Sequence, residues 1–175
     1  MTTALRTKAA GVLAVAALLL AAAPLPDSPV ADAAMHGDAD AVRTLIAQGA
    51  DVNAPQGDGM TALHWAAKLG DADIARLLLD ARAAVEAVTR IGAYTPLHIA
   101  SRSGSAPVVK ALLDAGAAAD ARTTTGVTPL HLGALAGDPE VIGALLDRGA
   151  DVNAREPAWG QTPLMFAAAR NRVKA

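Results

Sequence analysis

Three histidines recur at nearly equal intervals and are the first candidates for chemistry. His64, His98 and His131 are separated by 34 and 33 residues, and histidine is the commonest metal ligand in proteins. On stacked helices, equivalent side chains lie about 8–10 Å apart, whereas each ligand of a zinc ion lies about 2.1 Å from the metal. We therefore predict that each imidazole bonds to the threonine hydroxyl of its own repeat or to the backbone of a neighbouring loop. We also predict that the chain binds no metal.

Other strings that suggest catalysis lack the context that catalysis requires. The stretch 57–62 matches the glycine-rich dinucleotide fingerprint, but a polar segment containing Pro55 precedes it instead of a buried strand. Ser101, Ser103 and Ser105 surround a glycine without a paired base, so we expect a solvated helix-turn-helix corner. No nucleophile elbow, zinc-protease, Walker or EF-hand string occurs. The sequence predicts no catalytic residue, no cofactor and no enzyme activity.

The composition indicates helices and argues against nucleic acid as a partner. Hydrophobic residues make up 53% of the 175 residues and aromatic residues only 2%, so a core must be built from Ala, Leu, Val and Ile. Alanine-rich chains of this kind favour helices. The net charge of −2 makes the chain a poor general ligand for nucleic acid.

The N-terminal residues have the layout of a secretory signal peptide. Arg6 and Lys8 precede an apolar run of 15 residues, Ala9 to Ala23, which is shorter than the ~20 residues of a membrane-spanning helix. We predict a signal-peptide helix over 1–23, with cleavage near Ala23 or, alternatively, after Ala33. The expected location is the periplasm or the exterior, and the alternative is an uncleaved leader that anchors the chain in the inner membrane.

The chain is internally repetitive. Segments of the form Thr-Pro/Ala-Leu-His/Met begin at Thr61, Thr95, Thr128 and Thr162, at intervals of 34, 33 and 34 residues, and a degenerate copy begins at Ser28. A fixed period of this length is typical of a solenoid. The predicted repeats are 28–60, 61–94, 95–127, 128–161 and a truncated 162–175, within a repeat region of 24–175.

Each repeat is expected to contain two short helices. The threonine suits a helix cap followed by proline at the first helical position; an internal glycine then separates the helices, and Gly49, Gly116 and Gly149 suit a left-handed helix end. Neither helix reaches the ~12–15 residues that an isolated helix needs. Stability must therefore come from stacking of one repeat on the next.

These motifs resemble the ankyrin repeat, and the resemblance covers Ser28 to Ala175. It implies an all-α repeat solenoid of helix-turn-helix pairs, with β-hairpin fingers projecting from the stack and a concave face that grips other proteins. Three departures from the pattern are expected to matter. Arg82 occupies a left-handed glycine position, the fingers after Ala87 and Ala154 are one residue longer, and Met165 replaces the histidine in a final repeat that we interpret as truncated before its outer helix.

Residues that differ between repeats are the candidates for partner binding, because the shared residues are structural. They lie at finger tips and on the inner helices, where Lys68 and Arg102 predict a mildly basic stripe that favours a partner with acidic residues. Trp65 is expected to belong to the core. The partner-binding candidates are Asp58, Met60, Lys68, Ile91, Tyr94, Arg102, Thr124, Thr125, Val127, Trp159 and Gln161.

The predicted function is binding of another protein through the finger tips and the inner-helix face. Membrane contact is expected only through an uncleaved leader. Two alternatives remain open: the array is the accessory ankyrin region of a longer secreted enzyme, or it is a membrane-tethered structural spacer.

Overall fold

The computed structural model describes residues 28–170, and within them the chain forms nine helices and no strand. The predicted leader, 1–23, lies outside the described residues, as does the end of the chain after Arg170. No helix within 28–170 is long and apolar enough to cross a membrane. The helices are α1 (Pro29–Met35), α2 (Ala39–Ala47), α3 (Ala62–Leu69), α4 (Ala72–Asp80), α5 (Pro96–Ser103), α6 (Ala106–Asp114), α7 (Pro129–Ala136), α8 (Pro139–Asp147) and α9 (Pro163–Ala169).

Polar side chains and glycines set the ends of these helices as the sequence predicts. Thr128 caps α7 by accepting a hydrogen bond from the His131 backbone N–H. Three of the four outer helices begin at an aspartate, and Asp71 accepts from the first-turn N–H groups of α4; α6 instead begins after Ser105. Gly116 and Gly149 have φ of 92° and 83° after α6 and α8. Arg82 adopts the same conformation after α4, with φ of 64°, which confirms that it occupies a glycine position.

The helices form two layers that share one continuous core. The odd-numbered helices pack on one another as an inner layer, the even-numbered helices from α2 to α8 form an outer layer, and each inner helix from α1 to α7 packs on the outer helix that follows it. Leu63, Leu97 and Leu130 of the inner layer are almost completely buried, as are Ile74 and Leu112 of the outer layer. The predicted all-α repeat solenoid is confirmed.

The fingers are tighter than the β-hairpins that we predicted. Each is closed by one backbone hydrogen bond, for example from Thr123 N–H to the Val127 carbonyl at 3.0 Å, and one such pair is too short a ladder to form strands. The closing bond of the next finger joins Glu156 to Gln161, which confirms that this finger is one residue longer. Neighbouring fingers are also joined, by the Arg90 N–H and the Asp58 carbonyl.

Helix α9 leaves core positions uncovered at the far end of the described stack. Leu164 is 72% exposed, whereas its counterparts Leu63 and Leu130 are at most 2% exposed. Met165 is half exposed, although its counterpart His131 is buried. Within residues 28–170 no outer helix packs on this side of α9, which accounts for the exposure.

Candidate partner-binding surface

Each of the three repeated histidines joins the start of its inner helix to the finger at the end of the same repeat. Nδ1 of His98 accepts from the Thr95 backbone N–H at 3.2 Å, and lies 2.8 Å from the Thr95 hydroxyl. Nε2 of the same ring lies 3.1 Å from the Val127 carbonyl of the following finger. Because a carbonyl only accepts and an N–H only donates, the ring is neutral with its proton on Nε2. His64 and His131 make the same contacts, which confirms the predicted bonding.

Burial favours the neutral form of these rings. Desolvation lowers the pKa of His98 to about 4, and lowers the pKa of His64 and of His131. Protonation would also turn Nδ1 into a donor that faces the N–H of the capping threonine. Between residues 28 and 170, no three His, Cys, Asp or Glu side chains are arranged to hold a metal ion. The chemistry of the histidines is therefore structural.

One of the three candidate serines does not behave as predicted. Ser103 Oγ donates to the Ile99 carbonyl of its own helix, and Ser105 Oγ donates to the Gly70 carbonyl of the preceding repeat. Ser101 is completely buried inside α5, and its Oγ has no hydrogen-bond partner in the described part of the chain. Our expectation that it is solvated is wrong, because its side chain lies in the interior of the stack. Its counterparts Ala67 and Ala134 are buried alanines.

Five side chains, from the inner helices α3 and α5 and from the finger that precedes α5, form a surface that we call the inner-face patch: Trp65, Lys68, Leu69, Tyr94 and Arg102. Lys68 Nζ lies 4.4 Å from the centre of the Trp65 ring, and the Arg102 guanidinium lies 5.7 Å from the centre of the Tyr94 ring. Trp65 is only half-buried and donates from Nε1 to Gln56 at 2.8 Å, so the prediction that it is a core residue is wrong in part. The patch presents two cations held over two aromatic rings.

The finger-tip candidates divide into exposed and buried residues. Ile91 and Trp159 are 83% and 84% exposed. Met60, by contrast, is only 9% exposed and packs in the core, so it offers a partner little surface. The other exposed tip residues are Asp58, Thr124, Thr125 and Gln161, while Val127 is half-buried.

Tyr94 belongs partly to the framework. Its ring meets His98 edge-on at 6.0 Å and covers Gly92, where an added Cβ would lie 2.4 Å from the ring. Its backbone carbonyl is also the acceptor for His64. The half-buried ring is therefore shared between the framework and the inner-face patch.

Sequence reasoning missed the side chains that shape the fingers. Glu156 accepts from the N–H groups of Gln161, Trp159 and Ala158, and these bonds, that from Gln161 foremost, lower the pKa of its carboxyl. Thr123 performs a similar role by accepting from the Val127 N–H. Both positions come two residues after an alanine at the base of the finger, and this regularity was the available signal.

Charge is distributed unevenly between the two layers. The four ion pairs seen within residues 28–170 all involve outer helices or the turns that follow them: Arg43–Asp40, Arg76–Asp73, Lys110–Glu140 and Arg148–Asp114. In that part of the chain, Lys68 and Arg102 of the inner-face patch have no carboxylate within ion-pair distance. The two cations of the inner-face patch are thus not neutralised by carboxylates of the described chain.

The fold and this surface define a helical-repeat solenoid with an open inner face. The chain belongs to the ankyrin-repeat family: the family model described as ankyrin repeats, three copies, matches residues 7–90, 30–124 and 87–156. The first match begins inside the segment that we predicted to be a leader. Ankyrin repeats are generally protein-interaction modules, and the family is typically not catalytic.

A curated relative shares only the repeat segment. The palmitoyltransferase Hip14 of Drosophila melanogaster is 41% identical over 59 residues, which cover 34% of this chain and 9% of that relative. The matched segment therefore spans less than a tenth of the relative's length, and the likeness concerns repeats alone.

Proposed function

We propose that this chain binds another protein through the inner-face patch and the exposed finger tips, without catalysis of its own. The observation that supports this most is the almost complete exposure of Ile91 and Trp159 on fingers that are otherwise tightly bonded. Tryptophan is among the residues that contribute most to interface energies, and side chains held on ordered backbone lose less entropy on binding. The absence of catalysis is supported by the structural bonding of the histidines.

Affinity capture with the full chain tests this function. The bait carries a C-terminal tag, and the test variant is Ile91→Ala/Trp159→Ala. The control is Leu146→Ala, since Leu146 is 40% exposed on an outer helix. We expect a discrete partner that the wild type and the control retain and that the test variant loses. Proteins that bind all three baits equally would contradict the proposal and indicate nonspecific adhesion.

We further propose that the chain acts in the periplasm or outside the cell, because Arg6 and Lys8 precede a short apolar run. Mass spectrometry of the protein after cell fractionation tests this. An N-terminus near residue 24 outside the cytoplasm supports export. An intact Met1 in the cytosol contradicts it, and would favour a repeat in the segment where the first family match begins. An intact Met1 in the membrane fraction would instead favour the tethered spacer.

The second candidate function is that of an accessory region in a longer enzyme. It is favoured by the relative that carries a similar segment within a much longer palmitoyltransferase. Immunoblotting of the native protein distinguishes the two, since a species much larger than 17.5 kDa would support the accessory role, and one of that size or slightly smaller would oppose it.

A further inference from the structure

We infer that the inner-face patch binds a segment of the partner protein in which acidic residues are interspersed with apolar ones. This inference rests on the proposed function and deepens it by naming the chemistry of the partner. The patch comprises Trp65, Lys68, Leu69, Tyr94 and Arg102, as defined above.

Charge complementarity is the first support. The described inner helices after α1, namely α3, α5, α7 and α9, contain no Asp or Glu. The outer helices contain six, which are Asp40, Asp73, Asp80, Asp114, Glu140 and Asp147. Cations on the outer layer therefore have carboxylates beside them, whereas Lys68 and Arg102 have none. In α1, Asp32 is exposed and accepts a hydrogen bond from Gln56, but it forms no ion pair with Lys68 or Arg102. A carboxylate of the partner can therefore approach these two cations without displacing one of the chain's own carboxylates.

The two cations are held in place before a partner arrives. Lys68 lies over Trp65, whose ring is fixed by its bond to Gln56, and Arg102 lies over Tyr94. A cation over an aromatic face is stabilised by about 0.5–1 kcal/mol at an exposed site. Because this contact already restricts the Lys68 and Arg102 side chains, they lose less entropy when a partner binds. Ser103 Oγ donates to the Lys68 carbonyl at 3.3 Å, which shows that the two sites adjoin. Their spacing, about 10 Å between neighbouring inner helices, suits two acidic groups of one segment.

Apolar surface beside the cations indicates a peptide and not a nucleic acid. Leu69 is half exposed next to Lys68, and Ile91 is exposed on the finger that carries Tyr94. A phosphate backbone is typically bound through about 6–10 cationic contacts, and the patch offers two. An acidic peptide with interspersed apolar residues matches both parts of the surface.

Selection from an unbiased peptide-display library tests the inference. Peptides of about twelve residues, which span ~40 Å when extended, are selected against the tagged full chain. The test variant is Lys68→Glu/Arg102→Glu, and the control is Arg76→Glu/Lys110→Glu, which makes the same change in formal charge on the outer helices. We expect the wild type and the control to enrich peptides rich in Asp and Glu with apolar neighbours. The test variant should lose this enrichment and bind a recovered peptide about tenfold or more weakly, with circular dichroism unchanged.

The possible failures are distinguishable. Peptides that depend on Ile91 and Trp159 but show no acidic enrichment would overturn the inference and leave the proposed function standing. Acidic peptides that the test variant and the control bind equally would overturn the inference as well. A mixed-sequence single-stranded oligonucleotide that binds the wild type more tightly than the recovered peptides do, and that no longer binds Lys68→Glu/Arg102→Glu, would assign the patch to nucleic acid. Recovery of no peptide above the starting library would overturn the inference that the patch binds a peptide segment, and the affinity capture would then decide the proposed function alone.

Discussion

At the scale of single residues, Ser101 is the clearest local conflict between sequence and environment. Its hydroxyl is buried in α5 without a partner in the described structure, and a buried polar group left unsatisfied costs about 1–3 kcal/mol. Replacement by alanine also improves helix propensity. We expect Ser101→Ala to raise the free energy of unfolding by about 1 kcal/mol, measured by urea denaturation.

The matched control is Ser103→Ala in the same helix. Ser103 Oγ donates to the Ile99 carbonyl at 3.0 Å, so its removal should bring no comparable gain. Equal gains from both substitutions would show that helix propensity alone is responsible and that the buried hydroxyl of Ser101 carries no cost.

Arg82 is the second residue whose backbone conflicts with its type. A side chain in the left-handed region costs about 1–2 kcal/mol, and Arg82 has φ of 64°. We expect Arg82→Gly to raise the unfolding free energy by about 1 kcal/mol. The reverse change Gly116→Arg, at the equivalent turn with open space around the glycine, should lower it by a similar amount. A loss of stability in Arg82→Gly would mean that the arginine side chain makes a compensating contact.

At the scale of elements, the sequence predicted the helices better than the fingers. Helix ends follow from local chemistry, since threonine, aspartate and glycine act within one turn of their own position. The direction of a finger side chain depends on the neighbouring finger, which no local pattern records. Met60 was therefore assigned to the surface although it is buried, and Tyr94 was assigned to binding although its ring covers Gly92.

Contact between fingers gives a prediction at the same scale. Gly126 has φ of 75°, and an added Cβ would lie 2.3 Å from Pro157 Cδ in the next finger. We expect Gly126→Ala to lower the unfolding free energy by about 2 kcal/mol or more, from backbone strain and overpacking together. Gly149→Ala, with φ of 83° and no atom within 4 Å, isolates the backbone part. If thermal or urea unfolding shows that Gly126→Ala and Gly149→Ala lose equal stability, the contact between neighbouring fingers adds nothing to the cost of the substitution.

At the scale of the whole molecule, the buried histidines make stacking sensitive to acid. Each ring joins the cap of one inner helix to the finger that leads into the next inner helix, so His64, His98 and His131 hold three successive fingers in place. The candidate binding surface lies on the same inner helices and fingers. Acid that breaks the hydrogen bonds of these histidines would therefore also disturb the helices and fingers that carry the candidate binding surface.

The pH dependence of unfolding follows from the same geometry. The pKa of His98 is lowered from 6.5 to about 4, so the unfolded chain binds this proton more readily than the folded chain. The stability that the neutral His98 ring contributes to the folded chain is complete above pH 6.5 and is lost as the pH falls towards 4. The loss is up to about 1.4 kcal/mol per pH unit for each such histidine. His98→Gln, which retains a capping side chain, should lower stability at pH 7 and flatten this slope in urea titrations between those pH values. His36→Gln is the control, because His36 is exposed and bonds only within its own helix end. An unchanged slope in His98→Gln would mean that acid acts on the stack through its carboxylates, Glu156 among them, and not through the histidine links.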